Sequence, residues 1–113
     1  MDDNILHVER IKRHMYTKPE DVHSPKQHWS MIAVLDEGEA GKTALALGRW
    51  DGRLVLAMRW NGRDENPSGN PQSRGLPTWF VIEEKWYEAM LQSELLHPDK
   101  VTLARSFFPM KKA

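Results

Sequence analysis

From Ala44 to Trp60 the chain alternates bulky apolar with small or polar residues on both sides of a single Asp-Gly step (ALALGRWDGRLVLAMRW). Period-two alternation is the signature of a β-strand, since successive side chains point to opposite faces. Asp-Gly between such runs favours a two-residue type I′ turn, which needs positive φ at both central positions. The pattern therefore predicts a hairpin of residues 43–50 and 53–60, pairing Trp50 with Arg53, Leu47 with Leu56 and Leu45 with Met58. One face collects Leu45, Leu47, Leu54, Leu56, Met58 and Trp60, and reads as core. The other collects Ala44, Ala46, Gly48, Trp50, Arg53, Val55, Ala57 and Arg59. Its small side chains leave room for a helix, a second sheet or a ligand to approach closely, a helix being the ordinary case.

The remaining periodicities supply the rest of the fold. HWSMIAVL (28–35) reads as a strand with Trp29, Met31, Ala33 and Leu35 on one side. TWFVI (78–82) is apolar on both faces and reads as a short central strand. Residues 84–96 repeat apolar groups at i, i+4, which predicts a helix buried through Trp86, Met90, Leu91 and Leu95. Glu83, Glu84 and Glu88 suit the positive end of its dipole, and Pro98 closes it. Residues 101–108 read as a last strand. Ile5, Val8, Ile11 and Met15 fit a helix over 3–15, and residues 16–27, with Pro19 and Pro25, a surface connection. The sum is an α+β fold: a mostly antiparallel sheet of about four to five strands, a helix on one face and a possible N-terminal helix. A length of 113 residues fits a single globular domain over 1–113.

Asp51-Gly52 and Asn61-Gly62 sit in near-identical phrases, Arg-Trp-Asp-Gly-Arg and Arg-Trp-Asn-Gly-Arg. The first closes a hairpin. The second is followed by RDENPSGNPQSRGLP, with no large apolar residue until Leu76, so it ends a strand and launches a loop. Structureless connections beyond about 12 to 15 residues are uncommon in compact domains and tend to be functional or disordered. This one is stiffened by two Asn-Pro steps and carries Arg63, Asp64, Asn66, Asn70, Gln72, Ser73 and Arg74, planar or hydroxyl groups suited to carboxylates, phosphates or bases. Trp50, at the hairpin tip, is the one tryptophan expected to be exposed; Trp29, Trp60, Trp79 and Trp86 read as core. The candidate site is therefore Trp50 with Arg63, Asp64, Asn70, Gln72, Ser73 and Arg74. The competing reading is that the loop's polar groups cap one another.

Charge narrows the partners only partly. Sixteen basic residues balance sixteen acidic ones, so no global field draws nucleic acid or a membrane surface. Between Lys42 and Arg74, however, six bases stand against three acids, a positive patch if they share a face. No apolar run approaches the roughly 20 residues of a membrane span, and the acidic N-terminus lacks signal-peptide order. With no cysteine, thiolate chemistry is excluded and a cytoplasmic protein is expected. Gly38 to Thr43 lacks the first glycine of a phosphate-binding loop and leads into a strand rather than a helix. The five histidines show no metal-ligand spacing. Ser73, His28 and Asp64 are the members of a conceivable catalytic trio, but no nucleophile elbow surrounds a serine. The expectation is a non-enzymatic binding module for a protein or small polar ligand, with no cofactor. A nucleic-acid module using the Arg/Trp of 42–74 is the alternative, and a small hydrolase or transferase a distant third.

Overall fold

The computed structural model describes residues 15–109; the expected helix over 3–15 lies almost wholly outside them. In chain order the strands are β1 (Trp29–Asp36), β2 (Thr43–Trp50), β3 (Arg53–Trp60), β4 (Gln72–Ser73), β5 (Leu76–Pro77) and β6 (Phe80–Val81). Two helices follow, α1 (Tyr87–Gln92) and α2 (Pro98–Arg105). A four-stranded antiparallel sheet runs β1-β2-β3-β6, and β4 with β5 makes a separate two-stranded ribbon. This is an α+β fold. Among the described residues no helix is long and apolar enough to cross a membrane.

The hairpin forms in the register its alternation predicts: Trp50 faces Arg53, Leu47 faces Leu56 and Leu45 faces Met58. Asp51 and Gly52 close it at φ 50° and 81°, the type I′ geometry. On the bulky face Leu45, Leu47 and Leu56 are buried, Leu54 and Met58 half-buried, and Trp60 exposed. The small face is equally buried through Ala44, Ala46, Val55, Ala57 and Arg59. Trp29 lies on it: a Cβ at Gly48 would run into the Trp29 ring, so only glycine admits the indole there. Trp29 in turn stacks on Trp79, ring centroids 5.5 Å apart. Tryptophans, rather than the expected helix, thus cover this part of the small face.

Several expectations are corrected. In β1 the register slips between Met31 and Ala33 and again between Val34 and Asp36. Bulges break strict alternation, so Trp29 and Leu35 are buried while Met31 and Ala33 are only half-buried. Residues 78–82 give an edge strand, not a central one: among the described residues β6 pairs only with β3, at Ala57 and Met58, and Phe80 is 65% exposed. Residues 16–27 are not merely a surface connection, because Pro19 and Val22 are buried and the Val22 carbonyl accepts from Trp79 Nε1 at 2.8 Å.

The C-terminal reading changes most. The helix expected over 84–96 is a 3-10 turn at Glu84–Trp86 followed by α1, which stops at Gln92. Three residues per turn do not keep the phase of 3.6, so Trp86 falls outside the buried stripe at 54% exposure and Leu95 lies beyond the helix, exposed. Leu91 is buried as expected and, with Tyr87, joins the hairpin's core cluster, Met90 packing at its margin. Residues 101–108 do not form a strand. Pro98 begins α2, where a proline's missing N–H costs nothing, and His97 caps it by accepting from the Asp99 N–H. Arg105 then bridges the helices, donating to both carboxylate oxygens of Glu88 at 2.8 and 2.6 Å.

Candidate functional site

The segment from Asn61 to Thr78 is tied down from beneath by polar groups. Arg59, fully buried, donates through one terminal nitrogen to the Thr78 carbonyl at 2.5 Å and through the other to the Ser68 carbonyl. No carboxylate pairs with it among the described residues, and burial lowers its pKa from the ordinary guanidinium value. Asn61, also buried, donates to the carbonyls of Glu37 and Glu39 at 2.8 and 3.0 Å. Gln72 donates to Asn66 Oδ1 and the Gly69 carbonyl. Backbone bonds finish the frame: Trp60 and Asn70 exchange N–H and carbonyl, and Thr17 donates to Pro67. The capping reading therefore holds for Gln72, Asn66 and Asn61.

The other candidate residues do not make one surface. Arg63, Asp64 and Asn70 line a groove of about 700 Å³ with Trp60, Glu65 and Asn66. Ser73 and Arg74 line a different cleft of about 770 Å³, which Ser24 to His28 also line. The ribbon β4–β5 separates them by turning the chain at Arg74 and Gly75, φ 53° and 79°. That second two-residue turn is hard to read from sequence, because arginine is an uncommon occupant of the left-handed region. Trp50 is not an exposed tip: it is half-buried and stacked on His28, centroids 5.4 Å apart. Nor do the six bases share a face. Arg59 is internal, Arg49 donates to the Gly52 carbonyl, and Arg63 and Arg74 occupy different hollows.

The cleft's lining is cationic. Lys26 and Arg74 supply its charges, and no acid lines it. His28, which also lines the cleft, is engaged by Asp51 of the hairpin turn, Nδ1 to Oδ1 at 2.6 Å. The cleft floor includes Thr78, whose carbonyl carries the buried Arg59 guanidinium. By contrast Arg63 in the Trp60 groove faces Asp64 and Glu65. Sequence reasoning missed Lys26, His28 and Asp51, whose partnership spans 23 positions, and placed Trp60 in the core. It also read Arg59 as a member of the small face and of the basic segment, not as a buried anchor for residues 61–78. The conceivable trio does not assemble: Asp64 lines one hollow while Ser73 and His28 line the other, with no hydrogen bond between the latter two. Among the described residues no three His, Cys, Asp or Glu side chains are grouped to hold a metal ion.

No protein-family model, curated protein or solved structure matches the chain. The site's chemistry must be argued from its own geometry.

Proposed function

We propose that this chain is a non-enzymatic binding module, and that it holds an anionic group of a protein or small polar ligand in the cleft between residues 24–28 and the β4–β5 ribbon. One observation carries the reading: Arg74 and Lys26, from two segments far apart in the chain, line one cleft that no acid lines. Both are exposed and make no hydrogen bond or ion pair among the described residues. Arg74 presents a planar fork that matches carboxylate or phosphate, and Lys26 adds a point charge. Ser73 supplies a hydroxyl beside the fork. Leu76 and Pro25 give the remainder of a ligand an apolar wall. Arg59 anchors the floor, so the walls keep their spacing before a ligand arrives, which limits the ordering cost of binding.

A nucleic-acid partner is less well supported. The Arg/Trp vocabulary that suggested it is largely engaged within the fold, Trp50 with His28 and Arg59 with carbonyls. The two readings separate by salt. Chemical-shift titrations with inorganic phosphate and with succinate should move the amides of Lys26, Ser73 and Arg74, and Arg74→Ala with Lys26→Ala should abolish the shifts. A mixed-sequence oligonucleotide titrated at low and at physiological salt should bind weakly at both. Tight oligonucleotide binding that falls steeply with salt would favour the nucleic-acid reading instead.

A further inference from the structure

The groove beside Trp60 has a chemistry that an anion does not use. Its wall is an indole left 57% exposed on a strand that cannot readily retract it. Trp60 N–H donates to the Asn70 carbonyl at 2.7 Å, and Asn70 N–H returns a bond to the Trp60 carbonyl at 3.0 Å. On the strand's other side Thr43 is paired opposite. The backbone that carries the ring is therefore fixed within β3 rather than in a loose loop.

Around it stand exposed planar polar groups: Arg63, Asp64, Glu65, Asn66 and Asn70. The floor is bare backbone at Gly41, Gly62 and Gly69. A Cβ at Gly69 would meet the Trp60 carbonyl oxygen, and its φ of +64° is unsuited to other residues. The floor also includes Asn61, whose Oδ1 is buried without a partner among the described residues while its amide nitrogen donates to the Glu37 and Glu39 carbonyls.

The charges exclude the cleft's kind of ligand. One base, Arg63, faces two acids, Asp64 and Glu65, so an anion would be repelled and a nucleotide with it. A purely apolar ligand would strip water from carboxylate, amide and guanidinium without replacing their hydrogen bonds. What satisfies an aromatic face ringed by bidentate donors and acceptors is a neutral polyhydroxylated ring. Its C–H face lies on the indole, and its vicinal hydroxyls, each both donor and acceptor, meet the edges of Asp64, Asn70 and Arg63. We infer that the Trp60 groove is a carbohydrate-binding site for a neutral pyranose. The volume of about 700 Å³ is within the range of small-molecule sites. This site is separate from the anion-binding cleft and does not depend on it.

Saturation-transfer NMR of the full chain with cellotetraose, maltotetraose, xylotetraose and chitotetraose, alongside adenosine and uridine, tests it. At least one saccharide should receive saturation at its ring C–H protons and perturb tryptophan fluorescence. Trp60→Ala should weaken that binding about tenfold or more, as expected for loss of an aromatic stacking face. Trp86→Ala, at a comparably exposed tryptophan outside the groove, and Arg74→Ala, in the cleft, should leave it unchanged. Should Trp60→Ala fail to fold, Asp64→Ala tests the same groove, since Asp64 is exposed and its side chain accepts no hydrogen bond among the described residues. The inference is overturned if no saccharide binds at millimolar concentration, if binding survives loss of Trp60 or Asp64, or if only the nucleosides bind.

Discussion

The β2–β3 hairpin and the segment from Asn61 to Thr78 are adjacent in the chain and are held by opposite means. The hairpin is buried on both faces by apolar packing, Leu45, Leu47 and Leu56 on one side and Ala46, Val55 and Ala57 on the other. The segment after it buries few apolar side chains before Thr78. It is fastened by donors reaching into backbone carbonyls, from Arg59 to Thr78 and Ser68, and from Gln72 to Gly69. Apolar packing uses side chains up, because each must face inward. Donors from beneath leave the segment's own side chains facing out. That difference is why Arg63, Asp64 and Arg74 remain available while nearly every hairpin residue is committed.

The comparison breaks most visibly at Arg59, whose side chain lies in the hairpin's small face and donates into the segment. Arg59→Met keeps much of the volume on the small face but leaves the Thr78 and Ser68 carbonyls without their donor. Buried unsatisfied groups cost about 1–3 kcal/mol each, partly offset here because a buried charge is also removed. A loss of about 3 kcal/mol in urea denaturation is expected, with amide exchange accelerating first across 61–78. An unchanged midpoint would show that the backbone bonds alone hold the segment.

Gly48→Ala probes the hairpin side. The added methyl meets the Trp29 ring, and forcing extra volume into a packed core costs about 1–3 kcal/mol. Exchange should rise around Trp29, Gly48 and Trp79, leaving the Trp60–Asn70 bridge protected. If the two regions lost protection together, they would be one cooperative unit rather than two.

Trp86→Ala should have a smaller effect, below about 1 kcal/mol, because the side chain is largely exposed and its ring faces Lys85 Nζ at 5.4 Å. A loss of several kcal/mol would place Trp86 in the core after all. Smallest should be Arg63→Ala and Arg74→Ala, each within about 0.5 kcal/mol of the parent by thermal or urea unfolding. A marked drop in either would mean that the segment's outward side chains also fasten it, removing the contrast with the hairpin.

The hairpin was legible because everything that defines it is local. Alternation sets the faces, and Asp51-Gly52 sets the turn and so the register. The i, i+4 stripe of residues 84–96 was equally clear, yet Trp86 and Leu95 are exposed. Periodicity records which residues would share a face of a helix, not where the helix starts, and the 3-10 turn at Glu84–Trp86 shifted the phase. The last segment failed for a related reason: Val101 to Phe108 suits a strand by composition, but Pro98 and the His97 cap begin a helix there.

Of the candidate site, the chain's own order supplied the segment and its polar residues, because a long proline-stiffened connection between apolar runs is a local feature. Only the tertiary structure divided those residues between two hollows. Lys26 and His28 reach Arg74 through the parallel bridge of Ser24 with Thr78, and His28 finds Asp51 across 23 positions. Such meetings depend on how β1 and the β4–β5 ribbon come together, which no short window encodes. The same holds for Trp60: its parity assigned it to the core face, but only the extent of the core decides that burial ends at Met58 and the next ring stands in solvent.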